Sequence, residues 1–262
     1  MFNFIYFIIF IIVLSVSLRY NWWRKPQSLS KARVLMYHSI SAHIGKEKHN
    51  KWRVKPEDFE KQMKWFYENE WTSYTASEIS KLDVIPEKSF VITFDDGFED
   101  NYTTAFPILK KYNFKATIYL VPTQKTNHWE SKNTSVISNL LNSIQIKEMD
   151  ESGLIEFGSH TLSHVNLSTI NNEQLKNEVI KSKEEVEKII GKECEAFAYP
   201  YGKFDESIVK IVRDAGYTNA TVVKRGLFSK DDDIFTIKRL GILGTESFVD
   251  FKLKISRVRN KL

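Results

Sequence analysis

Two neighbouring carboxylates stand at an unusual place in this 262-residue sequence. The apolar run of residues 91–94 ends in Asp95 and Asp96, and Gly97 follows. Asp is poorly suited to a strand interior, so something must offset the repulsion between the two charges. A bound cation would do so. One carboxylate would ligate it, and the other would take a proton from a water molecule whose pKa the metal lowers towards about 7.

Two histidines could supply the remaining ligands of such a cation. His160 and His164 are four positions apart, and on a helical turn side chains at that spacing face the same way. Two His and one carboxylate with an open position form a ligand set of zinc hydrolases and of non-haem iron enzymes. The residues alone leave two other interpretations open: structural histidines, and an Asp-Asp-Gly turn that caps a helix.

Strands and helices alternate along the chain from Arg33 onward, which predicts an α/β fold with a parallel sheet, either open and doubly wound or closed as a barrel. The predicted strands are 33–38, 89–94, 116–121, 154–157, 196–200, 218–223 and 235–242. The predicted helices are 56–70, 101–113, 145–153, 172–191, 206–216 and about 245–259. Each candidate site segment follows a predicted strand, so we expect the segments to share the mouth of a barrel.

Composition excludes several other classes of function. The net charge is +5, but no Lys/Arg block is long enough to indicate nucleic-acid binding. No glycine-rich phosphate-binding loop is present, so nucleotide binding has no support. The single cysteine, Cys194, excludes an intrachain disulfide and a cysteine-based zinc site. We expect it to be a small apolar side chain in the core.

The first residues form a separate segment. Residues 2–18 carry no charged side chain, and Arg19, Arg24 and Lys25 follow them. This pattern predicts a transmembrane anchor or signal segment at residues 1–18, through which the chain would contact a membrane. Residues 19–32 are then a linker, and residues 33–262 are the catalytic domain.

Three segments resemble the signature motifs of the polysaccharide deacetylase family, the NodB-homology domain of carbohydrate esterase family 4: TFDDG (93–97), SHTLSH (159–164) and AYPYG (198–202). The resemblance covers roughly residues 33–243. Within the family the sequence is most similar to the IcaB-like deacetylases of biofilm poly-N-acetylglucosamine, on LMYHSI (35–40) and FPILKKY (106–112). The resemblance implies a distorted (β/α) barrel of about seven strands. It also implies metal-dependent hydrolysis of N-acetyl, or sometimes O-acetyl, groups on sugar polymers.

The resemblance also implies a role for each motif residue. Asp95 would be the general base. Asp96, His160 and His164 would ligate a divalent metal, Zn²⁺ first, with Co²⁺, Ni²⁺ and Mn²⁺ as alternatives. The backbone N–H of Tyr201 would hold the oxyanion.

Two departures from the family pattern leave roles to be filled. Ala198 stands where the family usually has an Arg, and we expect Arg239 to supply the missing guanidinium that orients Asp95. The late Leu-x-His motif that supplies the general acid is absent, so His38 is the candidate acid. The other three histidines lie in polar loops and are expected to be solvated; they are His43, His49 and His128.

The predicted function is metal-dependent removal of N-acetyl groups from an N-acetylglucosamine polymer, either poly-β-1,6-linked or a cell-wall glycan. An O-acetyl esterase and a non-catalytic glycan-binding protein are the alternatives. We expect a monomer, membrane-anchored or secreted, with its catalytic domain on the extracellular side. The basic residues after the apolar run favour the opposite side by the positive-inside rule. Four aromatic residues are expected to be exposed and to stack on sugar rings: Trp52, Trp71, Trp129 and Tyr201.

Overall fold

The computed structural model describes residues 2–20, 25–131 and 136–258. Ten strands occur in this part of the chain. They are β1 (Arg33–Tyr37), β2 (Ser39–Ile40), β3 (Arg53–Val54), β4 (Thr72–Tyr74), β5 (Ser89–Phe94), β6 (Ala116–Leu120), β7 (Ile155–Ser159), β8 (Ala196–Ala198), β9 (Asn219–Arg225) and β10 (Ile237–Gly241).

Seven of the strands close into a parallel barrel. Their order is β1-β10-β9-β8-β7-β6-β5, and pairing of β1 with β5 completes the circle. Strand β4 adds to the outer side of β5, also in parallel, and β2 pairs with β3 in a separate small ribbon. The predicted α/β barrel of about seven strands is therefore confirmed.

Eight α-helices are described, and most of them cover the outside of the barrel. They are α1 (Phe2–Tyr20), α2 (Pro56–Glu68), α3 (Ala76–Lys81), α4 (Phe106–Tyr112), α5 (Ser143–Glu151), α6 (Asn172–Ile190), α7 (Glu206–Asp214) and α8 (Phe248–Arg257). Between the predicted bounds 101–113, a π-helical turn (Asn101–Ala105) comes before α4. Strand β4 and helix α3 were not predicted, because both are short and lack a clear apolar period.

Barrel strands place apolar side chains in two separate clusters, one on each face of the sheet. On β5, Phe90, Ile92 and Phe94 pack in the larger cluster, between the barrel and its helices. Val91 packs in the smaller cluster, inside the barrel. Side chains on a strand change face at every residue, so Thr93 shares the inward face with Val91. Asp95, two residues further on and just past the strand end, continues this alternation.

Close packing of two neighbouring strands requires a glycine just before the histidine motif. A Cβ atom at Gly158 would lie 2.6 Å from the carbonyl oxygen of Ala196 and 2.7 Å from the ring of Tyr119. Any larger residue would therefore push β7 away from β8 and move the chain that leads to His160.

The N-terminal segment forms helix α1. Among the described residues, no helix is both long enough and apolar enough to cross a membrane. The assignment of residues 1–18 as a transmembrane anchor or signal segment stays a prediction. Cys194 is free and buried in the larger apolar cluster, as expected of an apolar filler.

Candidate active site

Asp95 faces the barrel interior and meets a buried arginine. Arg239, on β10, binds it with both ends of its guanidinium: Nη1 donates to Oδ1 at 2.6 Å, and Nη2 donates to Oδ2 at 2.8 Å. Two further donors of Arg239 reach the carbonyl of Val222 (3.2 Å) and the hydroxyl of Thr93 (3.0 Å). The two hydrogen bonds to Asp95 are the contact that the sequence analysis expects of Arg239.

The arginine also sets the charge of Asp95. Burial alone would raise the pKa of this carboxyl, but the nearby positive charge of Arg239 and its hydrogen bonds lower the pKa below the ordinary value. Asp95 is therefore a carboxylate at neutral pH, and both of its oxygens are held in place.

Asp96 points away from its neighbour because the chain turns sharply there. Its φ is 75°, in the left-handed region that few residues other than Gly, Asn and Asp adopt. Gly97 follows with φ 73°. The strand ends at Phe94, and the left-handed turn at Asp96 gives this second carboxylate a different set of partners.

Those partners are the two histidines. Ligand atoms of Asp96, His160 and His164 all lie within 4.8 Å of one another, and all three residues are buried. Oδ1 of Asp96 is 3.7 Å from Nε2 of His160 and 3.2 Å from Nε2 of His164.

The histidines do not converge through a helical turn, so that part of the prediction was wrong. His160 directly follows β7, and the chain then passes through two left-handed residues, Thr161 (φ 69°) and His164 (φ 58°). The backbone N–H of His164 donates to the hydroxyl of Thr161 at 3.0 Å. This tight loop turns both rings towards Asp96.

The hydrogen bonds of the histidines leave their Nε2 atoms available to a metal. Nδ1 of His160 is 2.7 Å from the carbonyl of Ala198, which can only accept, so Nδ1 carries the proton. Burial lowers the pKa of His160 to about 4, so the ring is neutral and Nε2 has a free lone pair. Nδ1 of His164 contacts the hydroxyl of Tyr201 at 3.1 Å. Such contacts to the second nitrogen are typical of metal-ligating histidines.

The donor set therefore fits a divalent metal. Oδ1 of Asp96 is buried and makes no hydrogen bond within the described part of the chain. Without a cation between them, the lone pairs of the Asp96 carboxylate and of a neutral imidazole would face and repel each other. Two imidazole nitrogens and one carboxylate oxygen suit Zn²⁺ and related ions. The identity of the metal and the ligand roles stay predictions.

A cavity of about 310 Å³ opens over these groups. Its lining includes all four motif residues, together with His38, Tyr201 and two tryptophans, Trp52 and Trp129. Trp129 stacks on the ring of His164, with 4.5 Å between centroids, and Trp52 packs on His38 at 4.6 Å. A larger open groove of about 890 Å³ lies beside β4, but no predicted catalytic or metal-binding residue lines it.

His38 and Tyr201 reach the same cavity. Nδ1 of His38 is buried without a hydrogen-bond partner in the described structure. Burial lowers the pKa of His38, although Asp95 and Asp96 act in the opposite direction. Tyr201 has φ 58°, and its hydroxyl lies against His164. The acid role of His38 and the oxyanion role of the Tyr201 N–H stay predictions.

Two expectations about the surrounding residues were wrong. Trp71 is 8% exposed and packs on Phe66 and Phe90 in the core, so it is not part of the site. His49 is not solvated: it lines the cavity with its Nε2 3.6 Å from Oε1 of Glu130. Sequence analysis also missed Glu130, which lines the cavity, because it lies outside all three motifs and far from His49 in sequence.

Comparisons with known proteins identify the family of this chain. The family model described as polysaccharide deacetylase matches residues 84–220. YxkH of Bacillus subtilis is 33% identical, over 84% of this chain and 74% of its own length. The poly-β-1,6-N-acetyl-D-glucosamine N-deacetylase of Staphylococcus epidermidis is 29% identical, over 86% of this chain and 78% of its own.

A solved structure of a polysaccharide deacetylase is also similar to this chain. BC0361, a polysaccharide deacetylase from Bacillus cereus, superimposes with a TM-score of 0.74 at 32% identity. The superposition covers 88% of this chain and 69% of that protein. With its closed barrel and its carboxylate–histidine cluster, the chain belongs to the polysaccharide deacetylase family.

The ligand roles can be tested by metal content. We expect Asp96→Asn and His160→Ala to lose bound metal, because each removes one of three donors. Asparagine tolerates the left-handed backbone of position 96, so the fold should survive. Elemental analysis after dialysis measures the metal, and circular dichroism checks the fold. Asp83→Asn, at an exposed aspartate, is the matched control. Folded variants with wild-type metal content would contradict the assignment.

The role of Arg239 can be tested by a conservative change. Arg239→Lys keeps the charge but cannot form the two parallel hydrogen bonds to Asp95. We expect turnover to fall by about 10- to 100-fold, at unchanged metal content, because the carboxylate is no longer held in one orientation. Initial rates and elemental analysis on the same preparation measure the two quantities. Equal turnover in Arg239→Lys and wild type would show that this orientation is unimportant.

Proposed function

We propose that this deacetylase hydrolyses N-acetyl groups of a β-1,6-linked N-acetylglucosamine polymer with the help of a divalent metal. The observation that carries the chemistry is the buried group of Asp96, His160 and His164 beside a second, separately held carboxylate, Asp95. The polymer is proposed from the name of the Staphylococcus epidermidis relative.

Asp95 is the proposed general base. A divalent ion at the three-residue cluster would supply Lewis acidity, both to the acetyl carbonyl and to the attacking water. Asp95 removes the proton of that water. Because Arg239 lowers the pKa of Asp95 and occupies one side of both oxygens, the carboxylate stays ionised and its free lone pairs remain directed into the cavity.

His38 is the proposed general acid. The amide nitrogen must gain a proton before it leaves as an amine. The ring of His38 lies in the same cavity, and its buried Nδ1 has no hydrogen-bond partner within the described residues. Asp95 and Asp96 favour the protonated ring against the effect of burial on its pKa, and a protonated His38 would pass its proton to the leaving amine.

Tyr201 completes the proposed machinery. Pro200 fixes the chain before it, and the left-handed backbone of Tyr201 makes the turn at the cavity rim. Its N–H would donate to the oxyanion as the carbonyl becomes tetrahedral. Trp52 and Trp129 offer aromatic faces for the sugar ring.

An extracellular location is also proposed. Biofilm and cell-wall polymers lie outside the cytoplasm, so an enzyme that acts on them must be exported. Whether residues 1–18 serve as a signal segment or in membrane attachment stays a prediction.

Acetate release from a panel of glycans tests the function. We expect wild type to release acetate from β-1,6-linked N-acetylglucosamine oligomers faster than from chitin oligomers, peptidoglycan or acetylated xylan. Asp95→Asn should keep its metal and lose about 10²- to 10⁴-fold in kcat/KM, the usual range for a general base. Asp83→Asn is again the control. Release only from acetylated xylan would indicate an O-acetyl esterase, and release from none would indicate a non-catalytic glycan-binding protein.

The role of His38 is tested by separating kcat from KM. We expect His38→Ala to lower kcat by about 10²-fold or more with KM changed only slightly, because proton transfer to the amine belongs to the transition state. His43→Ala is the matched control, since His43 lies outside the cavity lining and contacts the carbonyl of Arg53. Unchanged kinetics in His38→Ala would remove this residue from the mechanism.

A further inference from the structure

Two short helical turns form one wall of the cavity. The first is the 3₁₀ turn Lys48–Trp52, and the second is the 3₁₀ turn His128–Glu130. They lie far apart in sequence, and each places a tryptophan against a histidine of the site. The wall is therefore built next to the reacting groups, on chain segments that are not barrel strands.

One polar side chain from each turn, His49 and Glu130, faces the other across the cavity wall. Nε2 of His49 and Oε1 of Glu130 are 3.6 Å apart, with 14% and 18% of the respective side chains exposed. Both residues line the cavity. The distance exceeds that of a hydrogen bond between nitrogen and oxygen, about 2.7–3.2 Å. Neither atom therefore satisfies the other.

Glu130 is held in this position by its other oxygen. Oε2 accepts from Nδ2 of Asn127 at 2.5 Å, and the backbone N–H of Glu130 donates to the carbonyl of Asn127 at 3.0 Å. Asn127 is itself completely buried, and its Oδ1 accepts from the backbone N–H of Ser138 at 2.7 Å. The carboxylate is thus fixed at one oxygen and presents Oε1 to the cavity.

A hydroxyl group could bind to both Nε2 of His49 and Oε1 of Glu130. It donates one hydrogen bond, which Oε1 of Glu130 can accept, and it accepts one, which an Nε2–H of His49 can donate. Sugar rings carry such hydroxyls beside the acetamido group. An aliphatic acyl chain has none, so the pair would contribute nothing to its binding.

We propose that Glu130 and His49 bind a ring hydroxyl of the sugar unit whose acetamido group reacts, and that they thereby select glycans over other acetylated compounds. The inference rests on the proposed function. It assigns these two residues to substrate selection and leaves the hydrolytic chemistry to Asp95 and the metal ligands.

The test compares a sugar substrate with one that has no ring. Glu130→Ala should lower kcat/KM for a short β-1,6-linked N-acetylglucosamine oligomer by about 10- to 100-fold, the range for a lost hydrogen bond to a charged group. Hydrolysis of 4-nitrophenyl acetate by the same preparation should change less than about twofold. Glu130→Gln, which keeps an acceptor oxygen, should be intermediate, and His49→Ala should resemble Glu130→Ala. Glu151→Gln, at an exposed position on α5, is the control.

Each outcome has a distinct meaning. Parallel losses on both substrates would show a structural or catalytic role and overturn the inference, as would unchanged rates on both. Wild type that releases no acetate from the oligomer would contradict the proposed function instead.

Binding provides a second readout that does not depend on turnover. Calorimetry with the same oligomer and metal-loaded Asp95→Asn protein, with and without Glu130→Ala, should show about 10- to 100-fold weaker binding in the double variant. Equal affinities would overturn the inference.

Discussion

The buried ion pair between Asp95 and Arg239 is the interaction on which the site depends. Arg239 is fully buried and Asp95 is 3% exposed, so both charges have lost nearly all contact with water. Such a pair is stable only when its geometry is good and every remaining donor is satisfied. Here the carboxylate binds both ends of the guanidinium, and Thr93 and Val222 accept two further hydrogen bonds. The pair joins β5 to β10 and holds an ionised carboxylate at the mouth of the barrel.

The same pair explains how two adjacent carboxylates can coexist. Asp95 and Asp96 have different partners, a guanidinium for the first and two imidazoles for the second. The left-handed turn at Asp96 directs them to these different partners. Arg239 lowers the pKa of Asp95 in spite of its burial, and a cation held between Asp96 and the two imidazoles would stabilise the second carboxylate. Different surroundings therefore permit different roles for two identical side chains.

The part of the site that directly follows barrel strands could be predicted from sequence, and the part on irregular loops further from the strands could not. Strand alternation and the motifs were sufficient for the barrel and for the convergence of Asp96, His160 and His164. The family usually has an arginine where Ala198 stands, and this departure led to Arg239, which binds Asp95 in the structure. The pairing of His49 with Glu130 depends on how two irregular loops pack, and no local periodicity encodes that packing.

This division between strands and loops matches the roles proposed above, hydrolytic chemistry for the first set of residues and choice of substrate for the second. Asp95 and Arg239 are fixed by strand pairing and by buried hydrogen bonds, so their geometry changes little with the surrounding loops. His49 and Glu130 lie on short turns whose contacts with each other are incomplete. Loops on a rigid barrel can change without loss of the fold, and binding groups commonly lie there. One barrel can therefore keep a single hydrolytic centre while the turns above it determine which acetylated polymer reaches that centre.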